Sequence, residues 1–175
     1  MNSAQKEQIT TLGQILTAEL QNEAVSTRKM LERIPSDKMA WKPHEKSMTL
    51  ARIAGHIVEM VTWTKQALTQ DELDFSKYDY TPKVYENSAD LVADFDKNVA
   101  EAIEALKNAE DEKMSDNWRL RNGEQIYFEM PKAAVMRSFV MNHILHHRGQ
   151  LSVYFRLLDI PGPSIYGPSA DEQTM

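Results

Sequence analysis

The run His143-Ile144-Leu145-His146-His147-Arg148-Gly149-Gln150-Leu151-Ser152-Val153-Tyr154-Phe155-Arg156-Leu157-Leu158 decides how this chain is read. It contains no proline, and Ile160-Pro161-Gly162-Pro163 stops it. Upstream, Pro131 suits the first turn of a helix, so one helix is expected over about 131–159. Turning about 100° per residue from His143, Met136 and Tyr154 fall near 20° and Val140 and Leu158 near 60°. On the same wheel Leu151 falls near about 80°, and Phe139 and Leu157 near about −40°. The apolar face then centres at roughly 20–40°, with His143 and His147 inside it and His146 toward the rim. Two imidazoles one turn apart therefore point into the interior.

An i, i+4 histidine pair is a chelating unit, because its side chains project from one helix face and neutral imidazole is a common ligand for zinc-like ions. The bland reading is a pair of core histidines, each satisfied by a hydrogen bond. Both readings need the rest of the chain.

Gly and Pro number only 6 and 7, which leaves long uninterrupted stretches and favours helix. From about Ser3 to Ile34, the residues Ile9, Leu12, Leu16, Leu20, Met30 and Ile34 form one stripe, which also carries Glu23 and Thr27. A second helix is expected from Ser47 or Thr49, either of which can cap it, to about Gln70. Leu50, Ile53, Ile57, Met60, Val61 and Leu68 make its apolar face. The stretch 71–87 reads as a long loop. A third helix follows Asn87-Ser88, with Leu91, Phe95, Val99, Ala102 and Leu106 on its buried side, and fades near Glu110. Asn122-Gly123, between Trp-Arg-Leu-Arg and Gln-Ile-Tyr-Phe, signals a short hairpin. The expected fold is all-α: an up-and-down four-helix bundle with a short β-hairpin between helices three and four.

A length of 175 residues favours a single domain spanning the chain. With no cysteine, disulfide scaffolds, Cys-ligated zinc, iron–sulfur clusters and a cysteine nucleophile are excluded. A formal charge of −6 without a basic tract argues against nucleic acid and anionic membrane partners. The start, Met1 to Gln8, is polar, and no apolar run approaches the ~18 residues of a membrane span. The expected location is the cytoplasm.

On the wheel of helix two, His56 lies at the edge of the apolar face beside Ile53, Met60 and Trp63, where a facing helix can add a third ligand to the pair. Three histidines with an open fourth position is the catalytic pattern for such ions. Glu23 and Gln150 are candidates for fixing an imidazole tautomer or for acting as a base, against the bland alternative of polar residues at the edge of the core. Arg148, about 100° from the core centre, reads either as a solvated residue or as a partner for Asp171 or Glu172 that pins the tail. His44, in a loop, is expected to be solvated. Met48, Met60 and Met136 are candidates for an adaptable pocket wall.

The signature run, with its HxxxHRGQ core, resembles the metal-binding helix of the DinB/YfiT-like metalloenzyme family. The tail from Ile160 to Glu172 is similar to the segment that follows it there, and Met48-Thr49-Leu50 leading into His56 is similar to the family's second helix. The resemblance spans most of the chain. It implies a four-helix bundle with a divalent metal, zinc or nickel most often, on His56, His143 and His147. It also implies a homodimer and, as for some relatives, a transferase or isomerase using a low-molecular-weight thiol such as bacillithiol or mycothiol on a small-molecule substrate. A three-histidine ion could instead activate water in a metal-dependent hydrolase, or belong to a non-catalytic metal-binding stress-response protein. Because ligand imidazoles must be neutral, metal affinity is expected to fall below about pH 6.5.

Overall fold

The computed structural model describes residues 11–173. The expected start of helix one at Ser3, and Ile9 of its stripe, lie outside them. Four long helices dominate: α1 (Leu12–Glu32), α2 (Leu50–Thr69), α3 (Ser88–Lys107) and, after two short helices, α6 (Asn142–Leu157). The three N-termini that open from loops are capped by side chains. The Thr11 hydroxyl accepts from the Gln14 amide in a capping box, Thr49 accepts from Arg52, and Asn87 accepts from Asp90. Of the two caps expected for α2, Thr49 is the one used.

Helix α3 packs against both α1 and α2, and α6 closes the other side against α2 and α1. The consecutive helices α1 and α2 therefore stand across the bundle from one another, joined by the stretch 33–49. That stretch is held in place by the edge-on contact of Trp41 with Tyr154 and by the Tyr154 hydroxyl donating to the Met48 carbonyl at 3.1 Å. The core is built from the expected stripes: Leu16, Leu20 and Met30 of α1, Leu50, Ile53, Ile57, Met60 and Val61 of α2, and Leu91, Phe95 and Leu106 of α3 are all buried. Leu12 departs from its stripe and is 40% exposed, because it opens the first turn of α1. Gly13 sits beside it where a Cβ would stand 2.4 Å from the Leu106 carbonyl oxygen, so α1 and α3 approach closely at that end.

Among the described residues the β structure is larger than a hairpin. Strands β2 (Asn117–Asn122) and β3 (Gln125–Pro131) pair antiparallel around a turn at Gly123-Glu124, where Gly123 has φ +58°. A short strand, β1 (Glu72–Asp74), adds parallel to β2 with Leu73 opposite Leu120. It lies in the segment expected to be loop. The buried Asp74 carboxylate staples the arrangement: it accepts from the Gly123 amide at 2.9 Å and from the Ser76 amide and hydroxyl at 3.0 and 2.7 Å. These donors, together with Arg121, hold its pKa down at about 2. Trp118 of β2 enters the core fully. The four-residue helix α4 (Asp111–Met114) links α3 to this sheet.

The fourth long helix is not regular. It starts with α5 (Lys132–Ala134), passes through a π-helical stretch at Val135–Met141 and only then becomes α6. A π turn holds more residues than an α turn, so the wheel drawn through Met136, Phe139 and Val140 carries the wrong phase. Within α6 the buried residues are Ile144, His147, Arg148, Leu151, Tyr154 and Phe155. On the same angular scale they centre near about 80°, which brings Arg148 inside and moves Gln150 to the surface.

Candidate metal centre

Helix α2 carries His56 into the bundle, and α6 carries His143 and His147 to meet it. One nitrogen from each ring lies within 4.8 Å of the other two. The ring centroids of His56 stand 5.1 Å from His143 and 4.7 Å from His147, and those of His143 and His147 stand 4.7 Å apart. His147 is buried and the other two are partly buried. His146 is exposed and edges onto His147 at 4.9 Å, and the exposed His44 accepts from the Lys46 amide.

Hydrogen bonds on the outer nitrogens orient these rings. Gln150 Oε1 lies 2.8 Å from His147 Nδ1, and Glu59 Oε2 lies 3.1 Å from His56 Nδ1. His143 is hydrogen-bonded to the Phe139 backbone. Burial, first of all, disfavours protonation of the two α6 rings. It pushes the His147 pKa down to about 4, with the neighbouring imidazoles adding repulsion and the Gln150 bond opposing, and it lowers His143 in the same direction. Three imidazoles converging from two helices fit a divalent metal ion of the zinc–nickel type.

A cleft of about 680 Å³ opens from His56 along α2 and the segment 70–81, and Met60, Trp63, Phe75 and Tyr80 form part of its wall. The aromatic surface continues toward the imidazoles: Trp63 meets Phe139 at 4.6 Å, and Phe139 meets His143 edge-on at 5.8 Å. Of the three methionines expected at a pocket wall, only Met60 lines this cleft; Met136 is buried and Met48 is exposed.

Glu23 is not among the grouped donor atoms. Its carboxylate stands 2.7 Å from Arg148 Nη2 and accepts from the Tyr166 hydroxyl at 2.8 Å. Arg148 also donates to the Glu23 carbonyl, Thr27 Oγ1 and Tyr166, whose ring lies 5.2 Å from the guanidinium carbon. The tail is therefore pinned through Tyr166. Asp171 and Glu172, the expected partners of Arg148, pair with Arg156 and Arg33. Sequence reasoning passed over Glu59, Arg52 and Tyr80 beside His56. The only signal was the one-turn spacing of His56 and Glu59 on a helix.

Known proteins resemble the chain in sequence and in fold. The chain is 28% identical over 153 residues to an uncharacterised protein, YrdA, from Bacillus subtilis (strain 168), covering 86% of this chain and 85% of that one. Its fold is similar to the crystal structure of a DinB-like protein, YjoA, from B. subtilis, with a TM-score of 0.68 and 19% identity over 92% of this chain and 99% of that one. A DinB-like protein from Bacillus cereus ATCC 10987 is similar with a TM-score of 0.64 and 22% identity, covering 86% and 95% of the two chains. Residues 5–174 match the DinB family, and the chain belongs to that family.

Proposed function

We propose that His56, His143 and His147 together hold one divalent cation, zinc or nickel, and that the protein is a metal-dependent enzyme, an S-transferase that uses a low-molecular-weight thiol. The observation that carries this reading is the convergence of three ring nitrogens within 4.8 Å, one of them on His56, which lines a 680 Å³ cleft. A bound ion of this kind supplies Lewis-acid chemistry, lowering the pKa of a thiol or water that reaches it. The rest is the work of side chains. The rings of His143 and His147 resist protonation and so keep their donor lone pairs at neutral pH. Trp63, Phe75 and Phe139 give an apolar surface against which an electrophile can rest. The chain has no cysteine, which is consistent with sulfur arriving on a cosubstrate. Two further proposals stand beside it: the chain works as a homodimer, as the family resemblance implies, and it does so in the cytoplasm.

The test is to load chelator-treated protein with zinc or nickel and supply a thiol with 1-chloro-2,4-dinitrobenzene. In parallel, the loaded protein is offered activated esters and amides. Metal-dependent conjugation supports the transferase reading. Metal-dependent hydrolysis without conjugation replaces it with the hydrolase. Stable metal binding with neither activity leaves a non-catalytic metal-binding protein.

A further inference from the structure

Glu59 follows His56 by one turn on α2, and its oxygen Oε2 gathers three donors. His56 Nδ1 lies 3.1 Å away, Arg52 Nη1 donates at 3.1 Å and the Tyr80 hydroxyl at 2.7 Å. Arg52 Nη2 donates in turn to the Tyr80 oxygen at 3.0 Å, so the carboxylate, the guanidinium and the phenol close a ring of hydrogen bonds. We infer that Glu59 is a positioning residue of the three-histidine centre, fixing the tautomer and orientation of His56 so that Nε2 carries the free lone pair. The inference rests on the metal-centre reading given above and deepens it.

The chemistry of the donors forces the tautomer. An ionised carboxylate can only accept, so the hydrogen between Glu59 and His56 belongs to Nδ1, and the lone pair of a neutral ring is then on Nε2. Arg52, with its permanent charge, and the Tyr80 hydroxyl both donate to the same Glu59 oxygen, as they would to a carboxylate. Arg52 comes from the start of α2 and Tyr80 from the segment after β1, so two separate parts of the chain hold the carboxylate. His147 is oriented the same way by a neutral group, Gln150, but an amide can present either an acceptor or a donor. Glu59 has no such freedom. Partners of this kind typically change metal affinity by about 10–100-fold.

Two measurements on the full chain test this. The first is the His56 tautomer in the metal-free protein, read from ring-nitrogen NMR shifts. The wild type should show Nδ1–H, and Glu59→Gln should lose that preference. The second is a Co²⁺ titration, followed by visible absorption, of the wild type, Glu59→Gln, Glu59→Ala and Glu59→Asp. Affinity should fall about 10–100-fold in the Gln and Ala variants, with an altered cobalt spectrum, while Asp, which keeps the charge, should recover most of the loss. A Glu59→Gln protein with the wild-type tautomer, or with wild-type affinity and spectrum, overturns the inference. A wild-type protein with the Nδ1–H tautomer that takes up neither cobalt nor zinc defeats the metal-centre reading, yet leaves Glu59 as the group that orients His56.

Discussion

Arg148 and Glu23 form a charge pair 2.7 Å apart with side-chain exposures of 3% and 13%, one residue beyond a histidine of the cluster. The pair joins α6 to α1, and the Tyr166 hydroxyl bonds to both partners, so the tail is tied to the same point. Breaking a buried pair by removing one side leaves the other charge stranded. Arg148→Met is expected to destabilise the protein by about 3–5 kcal/mol. Combining it with Glu23→Leu should cost clearly less than the two single changes added together. Urea unfolding of the three variants measures the coupling, and simple additivity would mean that the pair does not act as a unit.

The ligand set makes a selective prediction. His56→Ala, His143→Ala and His147→Ala should each lose the metal, whereas His146→Ala, whose ring is exposed, should retain it. Elemental analysis after loading and desalting decides the matter. Retention in any of the first three, or loss in the fourth, contradicts the assignment.

Acid should destabilise the metal-free protein. Burial holds His147 at about 4 and His143 below its ordinary 6.5, so between these values the unfolded chain binds protons that the folded chain refuses. Stability is complete above about pH 6.5 and is lost as pH falls toward about 4, by roughly 1–3 kcal/mol from these rings. Melting curves of chelator-treated protein at pH 7 and pH 5 should show the drop, and His147→Gln should shrink it. A flat profile across this range contradicts the buried neutral state.

Two glycines should respond oppositely to the same change. At Gly13 an added methyl meets the Leu106 carbonyl oxygen at 2.4 Å, and backbone cannot step aside cheaply. Gly13→Ala is expected to cost about 1–3 kcal/mol. Gly149 lies within α6 with nothing inside 4 Å of its Cβ position. There alanine should stabilise by about 0.5–1 kcal/mol, since it restricts the unfolded chain without a clash. Thermal melts of both variants provide the check.

The long helices and the histidine cluster were legible because they rest on short-range rules. Periodicity marked the buried faces, Thr49 and Asn87 marked two starts, and Asn122-Gly123 marked the hairpin to within one residue. Strand β1 was not legible: three residues show no alternation, and its pairing depends on a partner more than forty positions away. The burial of Arg148 was hidden by the π-helical stretch, which shifts the phase between Met136 and His147 in a way no fixed angle per residue can follow. Glu59 was hidden for another reason. A glutamate one turn from a histidine is ordinary on a solvated helix, and only the arrival of Arg52 and Tyr80 at the same oxygen sets it apart.

The π-helical stretch also fixes what this region tolerates. It lies between the hairpin, which anchors the chain at Trp118, and the two histidines of α6. Removing one residue from Val135–Met141 while both flanks stay anchored would swing His143 and His147 by about 100° away from His56. Relatives that preserve the cluster should therefore keep the spacing between hairpin and histidines unchanged, with substitutions here limited to side chains that still fill the core around Val135, Met136, Val140 and Met141.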